Sequence, residues 1–299
     1  MRVKLLILSF VVAALSACHL PPVPPLSPDP PCPRETSVAE SDVFVVTARA
    51  FRCPTGPQFG PYRELAGLNF GRSITTGTSV FPHGLVPTSL VDQTDWNNDL
   101  KNRVRDNGPP VIFIHGYNSS EEVAVRRARA IARLLTNGRP VIAMTWPSFA
   151  NGAAIGWDEA NNEWAREALS AELARIVQQF KGTTIIAHSM GNRILLDFLV
   201  NHPEARGNIG QIIAAAPDVD EDQFMRHMKS GAAFGPQTTI YASTKDQALA
   251  SSWRLHGMRR AGDLSAGAGN EKLRIRYHQL DPSVSVVDLT RTEERLVGA

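Results

Sequence analysis

Ala187-His188-Ser189-Met190-Gly191 carries the residue types of a nucleophile held on a tight turn. The apolar run Thr183-Thr184-Ile185-Ile186 precedes it, and the helical-looking stretch from Asn192 to Leu199 follows. A serine between a strand and a helix is the setting of a nucleophile elbow, in which the hydroxyl is pushed clear of the backbone. Strand and helix main chains approach closely there, so the residues two before and two after the serine must be small. Ala187 and Gly191 meet that need. The competing reading is an ordinary strand-to-helix turn, because such a pentapeptide also arises without chemistry.

Acyl transfer by serine needs a nucleophile, a base for its proton and donors for the oxyanion. Ser189 is the nucleophile candidate. The Met190 N–H, at the positive end of the following helix, is the expected first oxyanion donor. The second donor must come from the loop after an earlier strand. His115-Gly116-Tyr117-Asn118 follows the apolar run Val111-Ile112-Phe113-Ile114, and its glycine lets backbone approach a substrate. The donor is assigned to the Tyr117 N–H, or to that of Gly116. His115 is read as orienting this loop. His188 adjoins Ser189, but neighbours on a strained turn point apart, which makes it a poor base.

In a fold of this kind the acid follows the serine in the chain and the histidine comes last. Asp246 and Asp218 are the candidate acids. Asp246 is favoured for its later position, and Asp218 has a competing role as a helix cap, with Asp220 nearby.

These residues need a scaffold that gathers them. From position 111 onward, apolar runs alternate with helical patterns. The runs at 111–114, 140–144, 183–187, 211–215, 238–242 and 284–289 read as strands. Several are apolar throughout, as strands buried on both faces are, so the sheet is expected to be mostly parallel with helices on both faces. Ligand sites in such sheets lie beyond the carboxyl ends of the strands. His115, Trp146, Ser189, Asp218 and Asp246 all fall there. Ser119 is expected to cap a helix as part of a capping box with Glu122. A long helix is expected from Asp158 to Phe180, with Leu169, Leu173, Ile176, Val177 and Phe180 on one stripe. Residues 55–108, rich in Gly, Pro, Thr and Asn, suggest short strands and loops rather than helices.

Five segments stand in order: Ile114-His115-Gly116-Tyr117-Asn118, Trp146-Pro147-Ser148, Ala187 to Arg193, Ala216-Pro217-Asp218-Val219-Asp220 and Arg260-Ala261-Gly262-Asp263. Together they resemble a bacterial α/β-hydrolase family of unknown function that carries an HGYN loop and an AHSMGNR elbow. The resemblance runs from about residue 43 to the last strand. It implies an α/β-hydrolase fold and a Ser-Asp-His hydrolase, without defining a substrate. It also places the histidine after the last strand, and here Thr290 to Ala299 contain none. Three explanations compete: a truncated carboxyl terminus, a base supplied by His278 or, less readily, His256, and a non-catalytic relative.

The amino terminus reads separately from the body. Arg2 and Lys4 form a short positive region, and Leu5 to Leu15 is apolar but short for a membrane span. Leu15-Ser16-Ala17-Cys18 resembles the lipobox of bacterial lipoproteins. That resemblance implies cleavage before Cys18 and lipid, palmitate among it, on that residue. A plain secretory signal is the competing reading. His19, in place of an aspartate, favours the outer membrane on its periplasmic side. Residues 18–40 are dense in proline and read as an extended tether. The expected organisation is therefore a signal peptide over 1–17, the tether over 18–40 and one hydrolase domain over 41–299. In an oxidising compartment Cys32 and Cys53 are candidates for a disulfide. No cysteine or histidine stands at metal-ligand spacing, and no metal or cofactor is expected.

With 31 basic and 29 acidic residues, the chain offers no charge argument for nucleic acid. The expected partners are a small-molecule acyl substrate and, through Cys18, a membrane. The expected function is a lipid-anchored serine hydrolase of the cell envelope acting on an ester or related acyl substrate. The alternative is a catalytically inactive lipoprotein of the same fold that binds a ligand or an envelope partner.

Overall fold

In the computed structural model, the described residues are 41–51, 59–74, 88–135, 137–229, 237–265, 277, 279 and 282–290. All lie in the unit Pro31–Ala299. In chain order, β1 (Ser41–Thr47), β2 (Arg49–Phe51), β3 (Phe59–Arg63), β4 (Asn69–Ile74) and β5 (Thr88–Leu90) come first. Then follow α1 (Gln93–Asn107), β6 (Val111–Ile114), α2 (Glu121–Leu135), β7 (Val141–Thr145), α3 (Ile155–Gln179), β8 (Thr183–His188) and α4 (Gly191–Asn201). After a 3-10 turn (Pro203–Asn208) come β9 (Ile209–Ala215), α5 (Glu221–Lys229), β10 (Thr238–Ala242), α6 (Gln247–His256) and β11 (Val284–Asp288).

Nine strands form one sheet in the order β11-β10-β9-β8-β6-β7-β1-β4-β5, and β2 and β3 form a separate pair. From β11 across to β1 every pairing is parallel. β4 and β5 extend that edge antiparallel. The elbow strand β8 lies between β6 and β9, with Ala187 in register with Ile114 on one side and Ala214 on the other. The loops after β6, β8, β9 and β10 therefore open at one edge of the sheet, side by side. This is the mostly parallel sheet expected from the alternation of apolar runs and helices, in the α/β-hydrolase architecture that the resemblance implies.

Alternation of side chains along each strand feeds two cores. Val43, Val45, Val111, Phe113, Val141 and Ala143 pack on one face against Val125 and Ala128 of α2. Phe44, Val46, Ile112, Ile114, Ile142 and Met144 face the other side, with Leu169, Leu173, Ile176 and Val177 of α3 and Ile194, Leu195 and Phe198 of α4. The stripe expected along the long helix, Leu169 to Phe180, is buried throughout.

Two expectations fail locally. Residues 93–107 form α1, where only strands and loops are expected. Its sequence is strongly polar, and it buries only Trp96 and Leu100, one turn apart. Trp96 pays the cost of ordering that helix: its ring centroid lies 5.5 Å from Phe44 and 5.4 Å from Phe70, and its indole N–H donates to the Gly71 carbonyl at 3.2 Å. The cap of α2 is also displaced by one residue. Ser120, not Ser119, accepts from the Val123 N–H, at 3.2 Å. Ser119 instead accepts a hydrogen bond from Arg127 and donates to the Tyr117 carbonyl.

Candidate active site

Ser189 has φ +50°, in the left-handed region that a non-glycine residue enters at a cost. The surroundings hold it there. Its N–H donates to the Ala215 carbonyl at 2.8 Å, and its carbonyl accepts from Asp218 at 3.2 Å. The buried Asn192 side chain donates to the carbonyls of Ala187 and Ser189, both at 3.0 Å. Gly191 starts α4 directly against β6, where a Cβ would stand 2.5 Å from the His115 carbonyl oxygen. That contact is the close approach for which a small residue is required two positions after the serine.

The loop after β6 is built on His115, which is fully buried. Its Nε2 accepts from the Trp146 N–H at 3.1 Å, which puts the ring proton on Nδ1, 2.8 Å from the Gly116 carbonyl. The ring stacks on Trp146 at 4.9 Å, and the Trp146 indole donates to the His115 carbonyl. Burial pushes the His115 imidazole down to about 3, so it is neutral and structural. Both ring nitrogens are occupied, by the Gly116 carbonyl and the Trp146 N–H.

Beyond Tyr117 the loop is tied down by side chains the sequence did not single out for the site. Asp158 accepts from the Asn118 N–H at 3.0 Å, the Phe149 N–H at 2.6 Å and the Ser148 hydroxyl at 2.5 Å. The Ser148 oxygen in turn accepts from the Ser119 N–H at 3.0 Å. Arg49, 1% exposed, donates to the carbonyls of Ser119, Ser148 and Gly60 and pairs with Glu121 at 3.2 Å. Burial raises the Asp158 and Glu121 carboxyls above their ordinary values in spite of these partners. Asp158 reads from sequence only as the start of a helix, and Arg49 carries no reading at all. Nothing local marks either one, because their partners lie far along the chain.

With Asn118 and Ser119 engaged, the amides left over matter. Among the described residues none accepts from the N–H of Gly116, Tyr117 or Met190. Gly116 abuts the elbow, since a Cβ there would stand 2.7 Å from the Ser189 Cβ and 2.7 Å from His188 Nδ1. The amides expected to hold an oxyanion are thus available beside the candidate nucleophile.

The acids divide by what they already hold. Asp218 is not a helix cap. It accepts from the Ser252 hydroxyl at 2.7 Å, pairs with Arg260 at 3.1 Å and faces Arg193 at 3.5 Å. Asp220 takes the cap instead, accepting from Gln223 at 2.8 Å. Asp246 caps α6, accepting from the Leu249 N–H at 3.0 Å. Burial raises its carboxyl, and Asp263 and Asp218 add to the rise.

No described imidazole hydrogen-bonds the Ser189 hydroxyl. His256 faces the Ser252 carbonyl at 2.7 Å through Nδ1 and Glu159 at 2.8 Å through Nε2, so neither nitrogen is open to a serine proton. His188 lies beneath the Gly116 loop with Arg127 nearby, and burial lowers it to about 4. His278, Cys18, Cys32 and Cys53 lie outside the described residues, as do the signal segment and the tether. A cleft of about 640 Å³ between α3, α4 and α5 is lined by Glu159, Arg166, Arg193, Asp220 and His256, and Ser189 is not part of its wall.

The family model described as "Alpha/beta hydrolase of unknown function (DUF900)" matches residues 90–297. No curated protein matches the chain in sequence. Among solved structures, a predicted CIB-like hydrolase from Thermoplasma acidophilum is similar at 14% identity and TM-score 0.38, covering 75% of this chain and 82% of that one. An N-formylmaleamic acid deformylase from Pseudomonas putida is similar at 9% identity and TM-score 0.34, covering 61% and 84%. An extracellular α/β-hydrolase from a Paenibacillus species is similar at 14% identity and TM-score 0.29, covering 60% and 77%.

Proposed function

The chain belongs to the DUF900 family of α/β hydrolases of unknown function, and from that premise we propose that it is a serine hydrolase acting on an ester or related acyl substrate. The observation that carries the reading is Ser189 at φ +50° with three unclaimed amides, those of Met190, Gly116 and Tyr117, around it. In this reading the Ser189 Oγ attacks the acyl carbon and an imidazole takes its proton. The amides of Met190 and Tyr117 hold the oxyanion, and the leaving alcohol departs with the proton. Water, activated by the same imidazole, then releases the carboxylic acid and restores the serine.

His278 is the imidazole in this reading. Asp246, or in its place Asp218, orients it. The protein acts at the cell envelope, held through lipid on Cys18 with the proline-rich stretch as spacer. Support for that part is the amino-terminal pattern of Arg2, Lys4, an apolar run and Leu-Ser-Ala-Cys. Among the described residues no helix is long and apolar enough to cross a membrane.

A fluorophosphonate probe on the purified protein, with short-chain nitrophenyl esters in parallel, tests the chemistry. Wild type is expected to be labelled and Ser189→Ala and His278→Ala are not. Equal labelling of wild type and Ser189→Ala would replace this reading with that of a binding lipoprotein.

A further inference from the structure

Six large apolar side chains stand well exposed among the described residues, and three of them fall within six positions at the end of α6. Trp253, Leu255 and Met258 are 37%, 59% and 58% exposed. The other three, Leu65, Leu134 and Val287, stand singly on other parts of the chain. Single exposed apolar residues are ordinary, whereas a group of them marks a surface that meets something other than water.

The inward face of α6 carries Leu249 and Ser252, its buried residues. The Ser252 hydroxyl donates to Asp218 at 2.7 Å, and the Asp218 N–H donates to the Ser189 carbonyl. The helix therefore lies along the sheet edge at which the elbow opens. Past Ser252, every residue up to Arg259 is exposed except His256, which Glu159 holds at 2.8 Å. Successive helical residues step by about 100°, so exposure of Trp253, Arg254 and Leu255 in a row bares more than one face. Gly257, at φ +71°, then ends the helix and turns the chain, with its N–H on the Trp253 carbonyl at 2.8 Å. In a left-handed cap of this kind an apolar residue beyond the glycine commonly packs back on the helix. Here Met258 stays largely exposed. The result is a convex apolar tip, not a groove or a flat face.

The charge around the tip has one sign. From Gln247 to Gly262 the chain carries Arg254, Arg259 and Arg260 and no aspartate or glutamate. Arg260 is buried and paired with Asp218. Arg254 and Arg259 are exposed, and no ion pair holds either side chain among the described residues. We propose that this tip docks on an anionic phospholipid surface, with Trp253, Leu255 and Met258 in the headgroup region and Arg254 and Arg259 on lipid phosphates. An indole, apolar with one polar edge, settles at that depth, and a guanidinium pairs with phosphate through two hydrogen bonds. A bilayer deforms around a convex tip, whereas a folded partner needs a matching hollow. The contact is separate from lipid on Cys18 and from the chemistry of Ser189, and it depends on neither.

The test measures quenching of tryptophan fluorescence in the full chain by phospholipids brominated in their acyl chains. Vesicles of phosphatidylglycerol are compared with vesicles of phosphatidylcholine. The first tryptophan in the chain is Trp96, so the amino-terminal segment gives no signal. Wild type is expected to be quenched on phosphatidylglycerol, and Trp253→Phe is not. Arg254→Gln with Arg259→Gln is expected to raise the half-quenching lipid concentration by about tenfold or more, since each basic residue near an anionic surface contributes roughly fivefold. Leu255→Glu with Met258→Glu is expected to abolish quenching and to keep the wild-type circular dichroism, because both sites are exposed. Equal quenching of wild type and Trp253→Phe would overturn the proposal, and so would equal quenching by the two lipids. A lipid-free dimer in sedimentation that Leu255→Glu with Met258→Glu dissociates would overturn it as well, giving the tip to a second copy of the chain. A chain that takes no fluorophosphonate at Ser189 leaves these readouts untouched, so failure of the serine-hydrolase reading is told apart from failure of this one.

Discussion

A Cβ on Gly116 would lie 2.7 Å from the Cβ of Ser189, closer than side chains pack. The loop after β6 and the elbow after β8 thus meet main chain to side chain, and one glycine sets the distance between them. Gly116→Ala forces that loop away from the serine. The expected cost is about 1–3 kcal/mol of stability, the range for overpacking a tight site. Labelling of Ser189 is expected to fall by at least about tenfold, since a single oxyanion donor is worth about a hundredfold or more. Thermal melts and probe kinetics on the one variant measure both, and an unchanged labelling rate would remove the loop from the chemistry.

Asp158 holds the far side of the same loop through the Asn118 amide, the Phe149 amide and the Ser148 hydroxyl. Asp158→Ala releases all three. Because the amides of Gly116 and Tyr117 are expected to act on the transition state, the loss should fall on kcat of ester hydrolysis, about tenfold or more, with KM little changed. A rise in KM at constant kcat would instead assign the loop to substrate binding.

Arg49 and Glu121 form a fully buried pair under the loop, with Thr145 also donating to Glu121 at 2.5 Å. Removing one partner leaves a buried charge uncompensated, at about 3–5 kcal/mol. Glu121→Leu and Arg49→Met are each expected to destabilise by that order. The double variant should lose much less than their sum, because neither charge is then stranded. Additive losses in denaturant melts would show that the two charges are not coupled.

The two imidazoles beside the elbow set an acid limit. Their folded values are depressed, His115 to about 3 and His188 to about 4, from an ordinary 6.5. Above 6.5 both states are neutral and neither group contributes a slope. Below it the unfolded chain takes up protons that the folded chain refuses, so stability falls by about 1.4 kcal/mol per pH unit for each group. The loss ends near pH 4 for His188 and near pH 3 for His115. Glu121 and Asp158 act oppositely, because their raised values let the folded state bind protons first as the pH falls toward 4.5 and 3.8. The imidazole effect is therefore cleanest just below 6.5. His115→Gln, which keeps a donor and an acceptor, is expected to reduce the slope of melting free energy between pH 6.5 and 5.5. An unchanged slope would mean that His115 titrates in the native protein.

By itself the sequence determined the parts of this protein that depend on neighbours in the chain. Ala187 to Gly191 reads as an elbow because small residues flank a serine between an apolar run and a helix, and strand, turn and helix form from residues in continuity. The parallel sheet is legible for the same reason: runs such as Val111–Ile114 are apolar on both faces, which only a doubly covered strand needs. α1 escaped because two buried residues in a polar segment make too weak a period to detect. Only the tertiary structure decided which charged groups surround the elbow. Arg49 reaches Ser148 and Glu121, Asp158 reaches Asn118, and Asp218 meets Arg260, each across a stretch of chain that carries no trace of the partner. The same holds for the acids. From sequence Asp218 and Asp246 were the candidates, one of them with a possible cap. Folding gave Asp218 to arginines, Asp246 to a helix end, and left a buried oxygen of Asp263 without a donor. Hydrogen bonding and desolvation are settled by which groups meet in space, and no spacing along the chain encodes that.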